Sequence, residues 1–210
     1  MIDFDDEKDE MNQYIIDNQF IPCVNWFKIS INQSYILISE YQRWKKMSFG
    51  NRCVLSGGGG LIPLSIPVEN GRDQKCLFKE VRIANKENWQ PRHWRTMVSC
   101  YNRSPYFEYY QEGFRPFFEK KYDFLIDFNL AIIQTCIDYL AVNKRIVIVN
   151  DDKFPIIDTK ANFLDPRTYS KVPNPVKYHQ LFEDRVGFLP NLSIVDLLFM
   201  EGPNAKSLLI

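Results

Sequence analysis

Histidine is scarce in this chain of 210 residues, and its five cysteines form no CxxC pair. A structural zinc site needs four cysteine or histidine ligands at characteristic spacings, so two histidines, His93 and His179, and scattered thiols argue against one. We expect the cysteines to be reduced, buried side chains, as is usual in a reducing compartment. The sequence predicts no metal and no cofactor.

Long apolar runs are also missing. No segment approaches the ~18 consecutive apolar residues of a membrane helix. The first ten residues contain six acidic residues and one lysine, whereas a secretory signal peptide starts basic and continues apolar. These features predict a cytoplasmic protein without membrane insertion and leave the oligomeric state open.

Basic residues are concentrated in one part of the chain. The formal net charge is zero, yet residues 41–103 contain twelve Lys or Arg and four Asp or Glu, a local balance of 12 − 4 = +8. Such an excess favours an anionic ligand, because local charge attracts its counter-charge. The alternative is a solvated surface with no partner.

The residue patterns predict an α/β protein, with α+β as the alternative class. Hydrophobic residues make up 45% of the chain, which is enough to form a core. A strand from Tyr14, a helix in NWFKISINQ and a strand over residues 34–40 form a predicted βαβ unit with parallel strands. A hairpin would complete a mixed sheet, packed by several C-terminal helices.

The remaining elements follow from periodicity and from proline. KEVRIA, residues 79–84, is predicted to be a strand, and a helix is predicted to start near Pro91. Two aromatic or apolar helices, the strand RIVIVN and a helix from about Ser193 complete the domain. We expect an acidic flexible tail over residues 1–12, one globular domain over residues 13–210, and a long loop at about 151–176.

Four consecutive glycines, residues 57–60, stand between NRCVLS and LIPLSIPV. A Walker-type phosphate loop needs GK[ST] followed directly by a helix. Here Pro63 and Pro67 disfavour a helix, so the glycines are predicted to form a hairpin turn and not a phosphate site.

The segment RWKKMSFGNRC, which precedes the hairpin, interleaves cations with aromatic rings. In an extended chain Trp44, Lys46 and Ser48 would lie on one face and offer a ring, a cation and a hydroxyl together. This combination suits a phosphate-bearing ring compound or single-stranded nucleic acid. An amphipathic strand with a solvated lysine is the alternative.

His93 is the candidate catalytic residue. It borders the apolar stripe of the predicted helix that starts near Pro91, and an imidazole can act as a general base near neutral pH. The alternative is a histidine that only packs at the edge of the core.

Five blocks, taken in order, resemble the WbqC-like protein family, and the Bacteroidetes-type members are the most similar. One block contains the family pattern K-x-[ST]-[FY]-x-N-R at Lys46, Ser48, Phe49, Asn51 and Arg52. The blocks are FIPCVNWF (20–27), WKKMSFGNRC (44–53), LSIPV (64–68), NWQPRHWRTMVSCYNRSPYFEYY (88–110) and YHQLFEDRVGFLPNLSIVDLLFMEGPNA (178–205). The sequence departs from the family pattern at Cys23, Gly50 and His179.

The resemblance implies a transferase of surface-polysaccharide (O-antigen) biosynthesis that moves an acyl or aminoacyl group, such as glycyl, onto an amino sugar or nucleotide-sugar. Such chemistry needs an anion clamp, a base and oxyanion donors. We predict His93 as the base. The predicted ligand-binding residues, which would line one cleft partly covered by the 151–176 loop, are Trp44, Lys46, Ser48, Asn51, Arg52, Arg103, Tyr178 and Gln180.

Two other functions stay open on the sequence. The same basic and aromatic segment suits a non-catalytic module that binds nucleic acid or a phosphorylated ligand, with nucleic acid the less favoured partner. A nucleotidyltransferase-like enzyme fits the βαβ unit, although NQFIPCVNWF lacks the HxGH-type histidine pair.

Overall fold

The computed structural model describes residues 13–39, 41–71, 73–150 and 154–210. The predicted acidic tail lies outside the described residues, as do residues 151–153 of the predicted loop. The helices are α1 (Val24–Ser30), α2 (Trp89–Tyr101), α3 (Phe107–Phe114), α4 (Leu125–Tyr139), α5 (Glu183–Val186), α6 (Ile194–Glu201) and α7 (Ala205–Leu209), and the strands are β1 (Ile36–Ser39), β2 (Arg52–Gly57), β3 (Gly60–Ser65) and β4 (Ile146–Val149). Short 3-10 turns lie at Phe78–Glu80, Arg115–Phe118, Tyr169–Lys171 and Gly202–Asn204.

Parallel pairing organises the first part of the fold. β1 pairs in parallel with β4, and isolated parallel bridges join Ile15 to Leu37 and to Ile156. The spatial order is therefore β4, β1, the Ile15 segment and the Ile156 segment. Numbered along the chain, these parallel segments lie in the order 3-2-1-4. The strand order therefore reverses between the first and the fourth segment.

The two faces of this sheet are both covered, as expected for parallel strands. Ile16, Ile36 and Ile38 face the main core, which also contains buried residues of α1 and α4. Alternate residues, among them Ile15 and Leu37, form a smaller cluster on the other face with Val149 and Phe154. The α/β class and the combination of parallel and antiparallel strands are confirmed, and the two kinds of pairing occur in separate two-stranded sheets.

The glycine run forms the predicted turn. β2 and β3 pair antiparallel, with Gly57 opposite Gly60, so Gly58 and Gly59 connect the strands. Pro63 lies in β3, where proline is tolerated because that strand lies at the edge of the sheet.

The strand predicted for KEVRIA is wrong. Residues Phe78–Glu80 form a 3-10 turn, and the following residues make only isolated bridges, Arg82 with Phe124 and Ile83 with Val68. The apolar alternation arises because Phe78, Val81 and Ile83 are core residues of an irregular segment. Burial produced the pattern without a continuous ladder of hydrogen bonds.

The helices and their buried faces are close to the prediction. α2 buries Met97 and Tyr101, and α3 buries Phe107 and Phe114. α6 ends at Glu201 and is followed by Gly202, whose φ of 54° lies in the left-handed region that glycine adopts readily. In the described ranges no helix is long and apolar enough to span a bilayer.

A buried carboxylate joins the hairpin to the helices. Asp196, at the start of α6, is fully buried and accepts hydrogen bonds from the hydroxyl of Tyr101 at 2.7 Å and of Tyr178 at 2.9 Å. The Tyr101 hydroxyl also accepts the backbone N–H of Ser56 at 3.1 Å. Burial raises the pKa of Asp196 to about 6, against the lowering effect of the two hydroxyl donors.

Removing these hydroxyls tests how much the carboxylate cluster stabilises the fold. Tyr178→Phe takes one donor from Asp196 and should lower the free energy of unfolding by about 1.5–3 kcal/mol. Tyr101→Phe also leaves the buried Ser56 N–H unpaired, so we expect a further loss of about 1–3 kcal/mol. Urea unfolding measures both, with Tyr109→Phe, a 75% exposed tyrosine, as the control that should change by less than ~0.5 kcal/mol. Equal losses for Tyr101 and Tyr178 would contradict the shared role of Tyr101.

Candidate functional site

A cavity of about 590 Å³ lies at the carboxyl ends of the parallel segments. In open α/β sheets ligands bind in the crevice outside these ends, at the point where the strand order reverses. That point lies here between the Ile15 and Ile156 segments. We call the cavity the strand-end groove; it is lined by Ile15, Asp17, Ser39, Tyr41, Gln42, Arg43, Lys45, Asn150, Phe154 and Ile156.

Asp17 is the carboxylate of the groove. It directly follows the Ile15 segment, and its backbone carbonyl accepts the indole N–H of Trp26 at 3.0 Å, which fixes its position. Its side chain is 12% exposed and lies 3.6 Å from the ammonium of Lys45. Burial raises the pKa of Asp17; Lys45 opposes that shift, and the charge of Asp165 adds to it.

A smaller polar recess of about 60 Å³ adjoins the groove and shares Asp17, Gln42 and Lys45 with it. Since one water needs roughly 10–15 Å³ measured in this way, the recess has room for a group of a few atoms. Its other lining residues are Asn18, Gln19, Lys46, Met47, Ser48, Phe49, Gly50, Thr159, Leu164, Asp165, Pro166 and Arg167.

The buried amides of Asn18 and Gln19 line the recess, and hydrogen bonds with other residues set their orientation. The Gln19 amide donates to the carbonyl of Leu164 at 3.0 Å, which leaves its Oε1 without a partner among the described residues. The Asn129 amide donates to the carbonyl of Gly50 at 2.8 Å and to Oδ1 of Asn18 at 2.7 Å. Nδ2 of Asn18 is therefore left as a buried donor that has no partner in the described part of the chain.

Cations surround the recess, and most of them are already paired. Lys46 forms an ion pair with Asp73 at 2.6 Å, and Arg167 makes two 2.9 Å contacts with Asp165. The Arg167 guanidinium is the main cause of the lowered pKa of Asp165. Lys45, which is 57% exposed, lies at the junction of groove and recess and contacts Asp17.

Of the residues predicted from the basic segment, the structure places Lys46 and Ser48 in the recess. The Ser48 hydroxyl donates to the carbonyl of Lys45 at 2.7 Å and accepts the N–H of Gly50 at 3.2 Å, so it also closes a local turn. Trp44 lies in the core, 8% exposed, with its ring 6.0 Å from that of Phe78. Its indole therefore packs against Phe78 in the core, and Trp44 is not one of the residues that line the groove.

Asn51, Arg52 and His93 come together at Ser65, away from the groove lining. Asn51 donates to the carbonyl of Ile66 at 2.8 Å, and Arg52 stands opposite Ser65 in the hairpin. His93 is 8% exposed and packs between the rings of Phe20 and Trp89, at 6.2 and 5.2 Å.

The environment of His93 makes it a weak base. Burial and the neighbouring Arg92 charge lower its pKa to about 4, although a hydrogen bond with the backbone of Ser65 acts in the opposite direction. Its Nδ1 has no partner within the described ranges. The catalytic role of His93 stays a prediction.

The last three predicted residues lie elsewhere. Tyr178 is bound to Asp196, and the Gln180 amide both donates to and accepts from the backbone of Leu189 at 2.8 Å. Arg103 lines a separate pocket at the end of α2. From the predicted loop, Phe154 and Ile156 line the groove, and Thr159 and residues 164–167 line the recess.

Sequence reasoning missed Asp17, Asn150 and the amides of Asn18 and Gln19. A signal for the first two is present, because Asp17 directly follows YII and Asn150 directly follows RIVIV, and both of these runs belong to predicted strands. Polar residues at the carboxyl ends of parallel strands are expected to meet in one crevice. Among the described residues no three metal-ligating His, Cys, Asp or Glu side chains lie together.

Comparison with known proteins agrees with the resemblance seen in the sequence. Residues 18–165 match the profile of the WbqC-like protein family. This matched range contains all the residues that line the groove except Ile15 and Asp17. An uncharacterized protein of Mycobacterium tuberculosis, Rv1507c, is 22% identical over 228 residues that cover 93% of this chain and 96% of the relative. No solved structure matches the chain. The narrower expectation of a Bacteroidetes-type member stays a prediction.

The pKa of His93 predicts an acid sensitivity of the fold. A histidine whose pKa falls from 6.5 to about 4 on folding stabilises the protein above pH 6.5, and this contribution is lost as the pH falls towards 4. Urea unfolding should show wild type losing about 2 kcal/mol more than His93→Gln between pH 7 and pH 4.5. His179→Gln, at a side chain 69% exposed, is the control and should follow wild type. Identical pH profiles for wild type and His93→Gln would show that the imidazole is not buried in neutral form.

Proposed function

The chain belongs to the WbqC-like protein family, and on that premise we propose that it is a cytoplasmic transferase of surface-polysaccharide biosynthesis that works in the strand-end groove. It moves an acyl or aminoacyl group, such as glycyl, onto the amine of an amino sugar or nucleotide-sugar. The observation that carries the proposal is the position of Asp17, which lines both the large groove and the small recess.

The groove suits the larger, ring-bearing part of such a ligand. Tyr41 and Ile156 line it and remain 55% and 66% exposed, so they offer aromatic and apolar surface to a nucleobase or a sugar ring. Arg43 and Lys45 supply positive charge for a diphosphate, and Asn150 adds an amide for a ring substituent.

The recess suits the small group that is transferred. Asn18 and Gln19 line it, and their amides carry one buried donor, Nδ2 of Asn18, and one buried acceptor, Oε1 of Gln19, that have no partner among the described residues. A buried polar atom without a partner costs about 1–3 kcal/mol, so a ligand that pairs both atoms gains affinity and is selected by shape. An acyl carbonyl next to an N–H has this pattern.

The chemistry places Asp17 as the general base. The amine nitrogen forms the new bond to the acyl carbon of an activated donor, and the bond from that carbon to its leaving group breaks. The proton of the amine passes to the carboxylate of Asp17 and then to the leaving group. Burial raises the pKa of Asp17, which makes its carboxylate a better proton acceptor than an exposed one. We assign Asn18 and Lys45, which line the recess together with Asp17, as the donors to the developing oxyanion.

A nucleotidyltransferase-like enzyme is the second candidate, and the 3-2-1-4 strand order favours it. Doubly wound sheets bind nucleotides at the carboxyl ends of the strands, which is a fold-level analogy. The products separate the two candidates: an acyl transferase gives an N-acylated sugar, whereas nucleotidyl transfer from a nucleoside triphosphate releases pyrophosphate. Binding without either product would indicate a binding module.

A lysine variant tests ligand binding in the groove. We expect uridine diphosphate glucosamine to bind, and Lys45→Ala to weaken binding about 10- to 100-fold, as for loss of a charged hydrogen-bonding partner. Isothermal titration calorimetry at two salt concentrations measures this, since affinity through phosphate should fall with salt. Lys120→Ala, an exposed lysine outside the groove lining, is the matched control. Equal affinities of the two variants would contradict the groove as the binding site.

Two further variants test which residue is the base. Asp17→Asn should retain the affinity for uridine diphosphate glucosamine within a few-fold and abolish acylation, because a base acts on the chemical step. Mass spectrometry of the sugar after incubation with acyl and glycyl thioesters and acyl phosphates measures the product. His93→Asn, which tests the base predicted from the sequence, should retain activity. The opposite result, an active Asp17→Asn and an inactive His93→Asn, would transfer the role to His93.

A further inference from the structure

A second pocket, of about 410 Å³, lies at the C-terminal end of α2. It is formed by the C-terminal turn of α2 and by the segment around α5, and it shares no lining residue with the strand-end groove or the recess. We call it the arginine pocket, because Arg103 and Arg185 both line it, together with Ser99, Asn102, Leu181 and Phe182.

The charge of this pocket is of one sign. Both arginines are exposed, and the lining contains no Asp or Glu. Elsewhere in the protein, Arg115 and Arg167 each contact a carboxylate. Within the described ranges no such ion pair engages Arg103 or Arg185. Two guanidinium groups that share a pocket repel each other, and an anion between them relieves that repulsion through paired N–H donors.

The side chain of Arg185 lies against the glycine turn. A Cβ on Gly58 would lie 3.0 Å from Nη1 of Arg185 and 3.7 Å from the ring of Phe182, so the guanidinium packs directly against the turn. The backbone of Gly58 lies outside the left-handed region, so its conformation alone does not require glycine. Next to it, a Cβ on Gly59 would meet nothing within 4 Å. An alanine at position 58 would therefore require the guanidinium of Arg185 to shift by a few tenths of an ångström.

The segment that carries Arg185 is itself fixed. Gln180 is 1% exposed and pairs with both backbone groups of Leu189 at 2.8 Å, and its own N–H donates to Glu183 at 3.2 Å. These contacts close the loop on either side of α5. The backbone that carries Arg185 is thus fixed before any ligand arrives, which lowers the entropy that binding must overcome.

We propose that the arginine pocket is a second ligand site, separate from the groove, and that it binds a phosphate group carried on a small organic body. The two guanidinium groups take the phosphate oxygens, and Ser99 and Asn102 add a hydroxyl and an amide donor. Leu181 and Phe182 contact the organic body, so an organic phosphate binds more tightly than inorganic phosphate.

Titrations with inorganic phosphate and with phenyl phosphate, followed by nuclear magnetic resonance, test the site in the full chain. We expect both to bind, phenyl phosphate more tightly, and Arg185→Ala and Arg103→Ala each to weaken phenyl phosphate at least about tenfold. Arg95→Ala, an exposed arginine on α2 outside the pocket lining, should leave the affinity unchanged. No binding of either probe at 10 mM, or equal loss in Arg95→Ala, would overturn the proposal.

A pair of glycine variants isolates the positioning of Arg185. Gly58→Ala should displace the guanidinium and weaken phenyl phosphate several-fold, whereas Gly59→Ala should bind like wild type. Circular dichroism checks that both variants fold. Equal affinities of the two would overturn the positioning step. Lys45→Ala, in the groove, separates this site from the proposed function: phenyl phosphate that is lost in Lys45→Ala and retained in Arg185→Ala binds in the groove, and the second site is then refuted.

Discussion

The side-chain amide of Asn129 is the contact on which the geometry of the site depends. It lies in α4, fully buried, and its two N–H groups reach the carbonyl of Gly50 and Oδ1 of Asn18. One group thus ties the central helix to the end of the first parallel segment and to the basic segment before the hairpin. Because Oδ1 of Asn18 accepts from Asn129, Nδ2 is the atom of the Asn18 amide that is left without a partner among the described residues.

Packing behind the basic segment explains why Trp44 lines neither the groove nor the recess. A Cβ on Gly50 would lie 2.6 Å from the Phe78 ring, so the missing side chain at this position makes room for that ring. Phe78 in turn packs against Trp44, which is drawn into the core. The departure from the family pattern at Gly50 is thus matched by a large aromatic neighbour. Lys45, Lys46 and Phe49 of the segment line the recess, whereas Trp44 packs in the core.

Much of the fold could be predicted from local patterns, and much of the site could not. The stripes of α2 and α4, the hairpin turn and the parallel unit around Ile15 follow from residue periods and from proline and glycine. The alternation in KEVRIA misled, because burial of Phe78, Val81 and Ile83 does not require strand pairing. The recess depends on pairs such as Gln19 with Leu164, 145 residues apart, whose hydrogen bond decides which atom of the amide is left without a partner among the described residues. No local pattern carries that information.

The division of the site into a large and a small compartment is its most informative property. A groove of about 590 Å³ with exposed apolar walls binds many ring compounds, so by itself it selects weakly. In the proposed function the selectivity comes from the recess, since Asn18 and Gln19 line it and each carries a buried amide atom that has no partner in the described part of the chain. Asp17 lies where the two compartments join, so a bond between a ring-bearing substrate and a small group would form beside the buried carboxylate. A buried polar atom that lacks a partner costs about 1–3 kcal/mol, and that cost is the physical basis of the selectivity proposed for the recess.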